Sequence, residues 1–256
     1  MTAADPLERP ATIGELQNAM RRRLADLPAE HAVTRHFLGT YLRTTSAVAA
    51  AIEGRTFEDP VWVERWDLDF AGFYLDALDV HLSGRGRPSR PWRLAFAASP
   101  DLPPLLHVLL GVNAHINFDL PQALVAVITD AEFSDASLLA RRHRDHERID
   151  AILSGRVAAE DVEISARSVR TALDRAMRPL NRWASRRFLK EAREKVWENT
   201  LQLWRAKASG DDEYHARRAE LELLSAAKIA DLLAPGHVLL LRLAMSGFGV
   251  SLPPEG

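Results

Sequence analysis

The stretch GVNAHINFDLPQAL, Gly111 to Leu124, lies between the apolar runs LPPLLHVLL and VAVITD, and its reading decides the fold. Every second residue from Asn113 to Asp119 is polar, the period of a half-exposed strand. The flanks argue the other way. Apart from Gly111 and Pro121 no turn residue separates the patch from its neighbours, so the whole run reads as a helix. It is expected to break or kink near Pro121, with Asp119 as candidate N-cap of the continuation.

Helical periodicity continues outward from this element. Thr12 with Glu15 spells a capping box for a first helix. A second is expected from about Glu30 to Ala51, with Val33, Phe37, Leu38, Tyr41 and Leu42 at three- and four-residue spacing. Asp59-Pro60 reads as N-cap and N1 of a third, ending at Ser83-Gly84. GRGRPSRPW is a loop, and Pro103-Pro104 opens the central helix. Further helices are expected at about 134–154, 160–184, 186–208, 212–233 and 237–246. The expected fold is all-α, a multi-helix bundle of one domain over residues 1–256 with a buried polar cluster.

The chain has 256 residues, 47% hydrophobic and 27% charged, with net charge −2 and no cysteine. A core of this length needs no metal or disulfide for folding. Without cysteine there is no thiolate ligand and no thiol nucleophile, which suits a reducing cytoplasm. The opening MTAADPLERPATIGEL has no apolar signal region, and no apolar run approaches the ~18 residues of a membrane span. A cytoplasmic protein without a membrane partner is the expectation.

On a helix His107, Gly111, His115 and Asp119 form one line, and Asn113 and Asn117 the next. Their other neighbours are Leu, Val, Ala, Ile and Phe, so these side chains must bury. Burying an unpaired polar group costs roughly 2–7 kcal/mol, so they satisfy one another or bind something. The following helix, ARRHRDHERIDAIL, repeats the spacing in His146 and Asp150. Packed antiparallel, His115, Asp119, His146 and Asp150 would offer N/O ligands to a divalent metal such as Zn, Mn or Fe, with His143 and Asp145 as spares. The plainer reading is a buried His–Asp hydrogen bond holding two helices together.

In WVERWDLDFAGFYLDALDVH the aromatics read as core and the acids, Asp67 among them, as a solvated face. Tyr74 is the exception, an inward phenol able to supply a proton or orient a substrate. The Arg-rich run from Arg167 to Arg193 could grip an anion or pair with acids on its own helix. Arg193 and Trp197 are its pair expected to turn inward. With charge near zero and no reading motif, nucleic acid is not an expected partner. Motifs of di-iron bundles, zincins, nucleophile elbows and phosphate loops are absent.

LLGVNAHINFDLPQAL resembles the signature of a bacterial family known as domain of unknown function 5995. The likeness extends loosely through FAGFYLDAL, HRDHERIDAIL and AREKVWENTLQL, roughly residues 55 to 235. It implies an all-helical fold and a site at Asn113, His115, Asn117, Asp119 and Pro121, with Tyr74, Asp145, Asp150, Arg193 and Trp197 around it. Asp150 stands where the family carries Asn. No activity comes with the resemblance.

Two functions follow. One is a small-molecule enzyme, with or without a metal, for hydrolysis, elimination or cyclisation in secondary metabolism. Its catalytic residues would be His115, Asp119, Tyr74, Asn113 and Asn117, and Arg193, Trp197 and His107 would bind an anionic substrate. The other is a non-catalytic helical module whose polar cluster is structural. A homodimer is compatible with either.

Overall fold

The computed structural model describes residues 9–31, 33–149, 152, 172–234 and 247–254, with 172–190 as backbone only. Among these residues the structure is all-α. Helix α1 spans Ile13–Asp26, α2 Thr34–Glu53, α3 Pro60–Ser83 and α4 Arg90–Phe96. A single 3₁₀ turn, Ala29–His31, precedes α2. The central rod consists of α5 (Pro104–Ala114), a π-helical turn (His115–Asp119) and α6 (Leu120–Val127). The short α7 (Asp130–Ser134) leads into α8, described over 136–149. Helices α9 (Ala172–Ser209) and α10 (Asp211–Leu233) form an antiparallel pair.

The capping chemistry places these ends. Thr12 accepts from Glu15 N, Asp59 accepts from Trp62 N with Pro60 at N1, and Thr129 and Glu132 complete a capping box on α7. Such caps satisfy backbone donors that a helix leaves open. One expected boundary is absent. No break separates the helices expected to meet at 184–186: residues 172–209 form one 38-residue helix, because Ser185 carries too small a helix penalty to break it, and residues 160–171 lie outside the described residues. The helix expected at 237–246 lies outside the described residues.

The rod is the core of the molecule. Every residue from Asn113 to Val125 is buried, and α2, α3, α4, α9 and α10 pack around the rod. A helix apolar on all sides can only be stable when enclosed in this way. Gly111 sets the approach of α2. A Cβ there would lie 2.4 Å from Cγ of Phe37, so the space expected between the two histidines is filled by a phenyl ring. No helix among the described residues is long and apolar enough to cross a membrane.

Candidate functional site

The rod does not break at Pro121. It widens instead: Leu120 N–H donates to His115 O five residues back, and Asp119 makes no capping bond. Pro121 has no N–H for the carbonyl four residues before it, and its ring crowds that carbonyl. The wide turn just upstream accommodates both problems. π turns of this kind concentrate at functional sites, and this one carries His115, Asn117 and Asp119.

His115 and Asp119 form a buried dyad. His115 Nδ1 lies 2.9 Å from Asp119 Oδ2, which also accepts the Trp92 indole N–H at 2.8 Å. With Nδ1 held by a carboxylate, the tautomer that donates there leaves Nε2 as a lone pair. Nε2 is buried and has no hydrogen-bond partner. Around the imidazole stand Phe70, stacked at 3.6 Å between centroids and 6°, Tyr41 at 4.7 Å, and Phe37, Tyr74 and Trp92 at 6.0 Å each. The Tyr41 and Tyr74 hydroxyls and Asp67 Oδ2 are likewise buried without partners.

Burial sets the protonation states. It pushes His115 below the usual histidine value, with the Asp119 carboxylate partly offsetting it. Asp119 moves up through burial, while His115, Trp92 and Arg218 pull it back. Both phenols are raised by burial and stay protonated. Asp67 is raised by burial, and then by Glu64, to about 7. The region therefore holds a neutral imidazole, two hydroxyl donors and a carboxyl poised near neutrality, in low-dielectric surroundings.

His146 lies in a second aromatic group. Its ring centroid is 5.7 Å from Trp66 and 5.5 Å from Trp197, and His143 stacks on Trp197 at 4.4 Å. Arg193 is buried over the Trp66 ring and donates to His146 O. Burial, with Arg193 and His143 adding to it, holds His146 well below the usual value. Arg193 and Trp197 do turn inward, as their spacing suggests, but toward His146. His115 and His146 pack against different rings of α3, Phe70 and Trp66, one turn apart. Among the described residues no three His, Asp or Glu side chains stand together as metal ligands. His115, Asp119 and His146 thus do not gather as one ligand set, and Asp150, the fourth expected ligand, lies outside the described residues. Asp145 has a structural post, accepting Glu58 N, Asp59 N and Arg148.

The remaining expected residues separate by direction. Asn113 and Asn117 both donate to Phe248 O, and Asn117 Oδ1 accepts from Val250 N, so this line faces the C-terminal segment. His107 is buried against His36 and lines a cleft of about 20 Å³ with Gly111, Phe37 and Trp92. Phe37 and Trp92 thus border both that cleft and His115. The Arg-rich positions up to Lys190 lie outside the described side chains.

Sequence reasoning missed Tyr41, Asp67 and Trp92. Asp67 is buried rather than part of a solvated face. Its signal was present: Val63, Asp67, Phe70, Ala71 and Tyr74 share one stripe of α3, so the acid interrupts an apolar line. Tyr41 sits on the apolar face of α2 with Phe37, Leu38 and Val48. Trp92 lies in the segment read as loop, which gave no sign of its contact with the rod.

Residues 13–235 match the model of a family described as Family of unknown function (DUF5995), so the chain belongs to that family. The match begins well before the region around residue 55 suggested by the quoted motifs, taking in α1 and α2. No curated protein and no solved structure matches the chain.

Proposed function

We propose that this member of the DUF5995 family is a small-molecule enzyme in which His115 acts as a general base. One observation carries the reading: His115 Nδ1 is fixed by Asp119 while Nε2 is buried and bonded to nothing. A base oriented by a carboxylate, with its second nitrogen left free, is the arrangement acid–base catalysis requires. His107 and His146 also bury unpartnered ring nitrogens, and what sets His115 apart is the carboxylate held on its Nδ1. Trp92 keeps Asp119 in place, and the neutral hydroxyls of Tyr41 and Tyr74 are donors for an oxygen or nitrogen that gains charge. Asp67 can exchange a proton near neutral pH. The aromatic walls favour a flat, largely apolar substrate. Elimination, cyclisation and hydrolysis all need the proton transfer this set supports. Among the described residues no three imidazole or carboxylate side chains gather as metal ligands, so no step is assigned to a metal.

Asn113 and Asn117 support a second reading, a helical module with a structural polar network, because their amides are spent on the C-terminal segment. The two readings divide on His115. The probe is 5-nitrobenzisoxazole, a flat aromatic whose N–O bond opens when a base takes its ring C–H proton. The protein is expected to accelerate opening over buffer, and His115→Ala to lose about a hundredfold or more of that rate, the lower range for a positioned base. No acceleration, or an equal rate in a folded His115→Ala protein, refutes the enzyme reading.

A further inference from the structure

The C-terminal segment Gly247–Pro253 is held by side chains: amides grip residues 248, 250 and 252, while Lys228 donates to Gly247 O, Lys195 to Gly249 O and Arg217 to Pro253 O. Asn117 donates to Phe248 O at 3.0 Å and accepts from Val250 N at 3.3 Å. Asn199 donates to Val250 O and accepts from Leu252 N, both at 2.8 Å. Asn113 adds a second donor to Phe248 O, and Gln202 donates to Leu252 O. An asparagine amide presents N–H and C=O side by side, as the edge of a strand does. Two such amides in tandem, one on the π turn and one on α9, read main-chain groups at residues 248, 250 and 252 whatever side chains those residues carry.

Selectivity comes from the side chains. Phe248, Val250 and Leu252 are all buried, the last two with Phe118, Val125, Leu203 and Leu221 in an apolar cluster distinct from the main core. Gly249 has no room for a side chain. A Cβ there would meet Ala192 Cα at 2.7 Å and Ala192 N at 3.3 Å, and a helix backbone cannot step aside. Ser251 between the buried positions is exposed.

We propose that the groove between the π turn and α9 is a receptor for an extended peptide of the pattern aromatic-Gly-aliphatic-x-aliphatic, and that the chain's own C-terminal segment is its exchangeable occupant. Main-chain recognition by amides with pockets for alternate side chains is how extended peptides are bound in general. The inference does not rest on the acid–base reading, since no group in it touches His115 Nε2.

The test uses full-length protein carrying Gly249→Ala, whose methyl expels its own segment, and a fluorescent peptide of residues 246–254 in wild-type sequence. The peptide is expected to bind the variant at least about tenfold tighter than wild type, where the tethered segment competes at high effective concentration. The same peptide with Ala in place of its Gly249 is expected to lose at least about tenfold, because its methyl meets the same helix backbone. A folded variant that does not bind, or that binds both peptides alike, overturns the proposal. Should Gly249→Ala fail to fold, amide exchange on wild type decides. Val250 and Leu252 are expected to exchange through an opening that leaves Leu203 on α9 protected, and protection equal to Leu203 overturns the proposal.

Discussion

Replacing Asp67 by Asn should make the protein more stable, and increasingly so as pH rises. Asp67 is 7% exposed, its Oδ2 has no partner, and Glu64 lies one turn away. These surroundings lift its carboxyl from 3.8 to about 7. At roughly 1.4 kcal/mol per tenfold change in proton affinity, the ionised form costs the folded state about 4 kcal/mol. Because the folded value is raised, the stabilising contribution is complete below the unfolded value and is lost as pH rises through about 7. Asn is neutral throughout. The advantage of Asp67→Asn over wild type should therefore grow by about 3 kcal/mol between about pH 5 and about pH 8.5. Urea unfolding of both proteins across that range reads the difference directly, and the buried histidines, common to both, cancel. A difference that is flat with pH, or one that shrinks as pH rises, would refute the assignment of a buried, unpaired Asp67.

Tyr41→Phe and Tyr74→Phe each delete a buried hydroxyl without a partner, so each should raise stability by about 1 kcal/mol in denaturant melts; a loss of that size would mean the hydroxyls are already satisfied. Trp92→Phe removes a donor to Asp119 and should cost about 2 kcal/mol, with a double-mutant cycle against Asp119→Asn showing that the two losses are not additive. Gly111→Ala drives a methyl into Phe37 and should cost about 1–3 kcal/mol, measured by thermal unfolding; an unchanged midpoint would show that α2 and α5 do not meet there. His146 is depressed by burial, so its contribution is present above about pH 6.5 and lost as pH falls toward the folded value. His146→Leu should then show a shallower loss of stability below about pH 6.5 than wild type, and parallel acid limbs would count against a buried neutral imidazole.

Those predictions turn on residues that differed in how readable they were. Asp59-Pro60, Thr12 with Glu15, and the apolar spacing of α2 and α3 act through backbone groups within four residues, and the helices they delimit stand where their sequences place them. The run from Leu110 to Val125 was readable as a buried helix because no face of it is polar enough for water. Its geometry at Pro121 was not readable as a π turn, since both a break and a widened turn relieve the same lost hydrogen bond. Asp67 could have been found from the sequence, as an acid on an otherwise apolar stripe.

The remainder of the site depended on contacts between distant segments. His115 and Asp119 declare their pairing by spacing, but Trp92 reaches Asp119 from 27 residues away, and Phe248 reaches Asn117 from 131. Spacing placed Asn113 and Asn117 beside the dyad, whereas the rod turns them toward Phe248 and His115 toward Tyr41 and Phe70. Spacing likewise paired His146 with His115, and packing against Trp66 instead of Phe70 parted them. By itself the sequence determined that this chain is all-helical and that its central helix must bury histidine, aspartate and asparagine, because local hydrogen bonding and apolar periodicity are properties of neighbouring residues. Which of those groups find partners, and which nitrogen is left without one, was decided only by the tertiary structure, because a partner is a matter of distance in space.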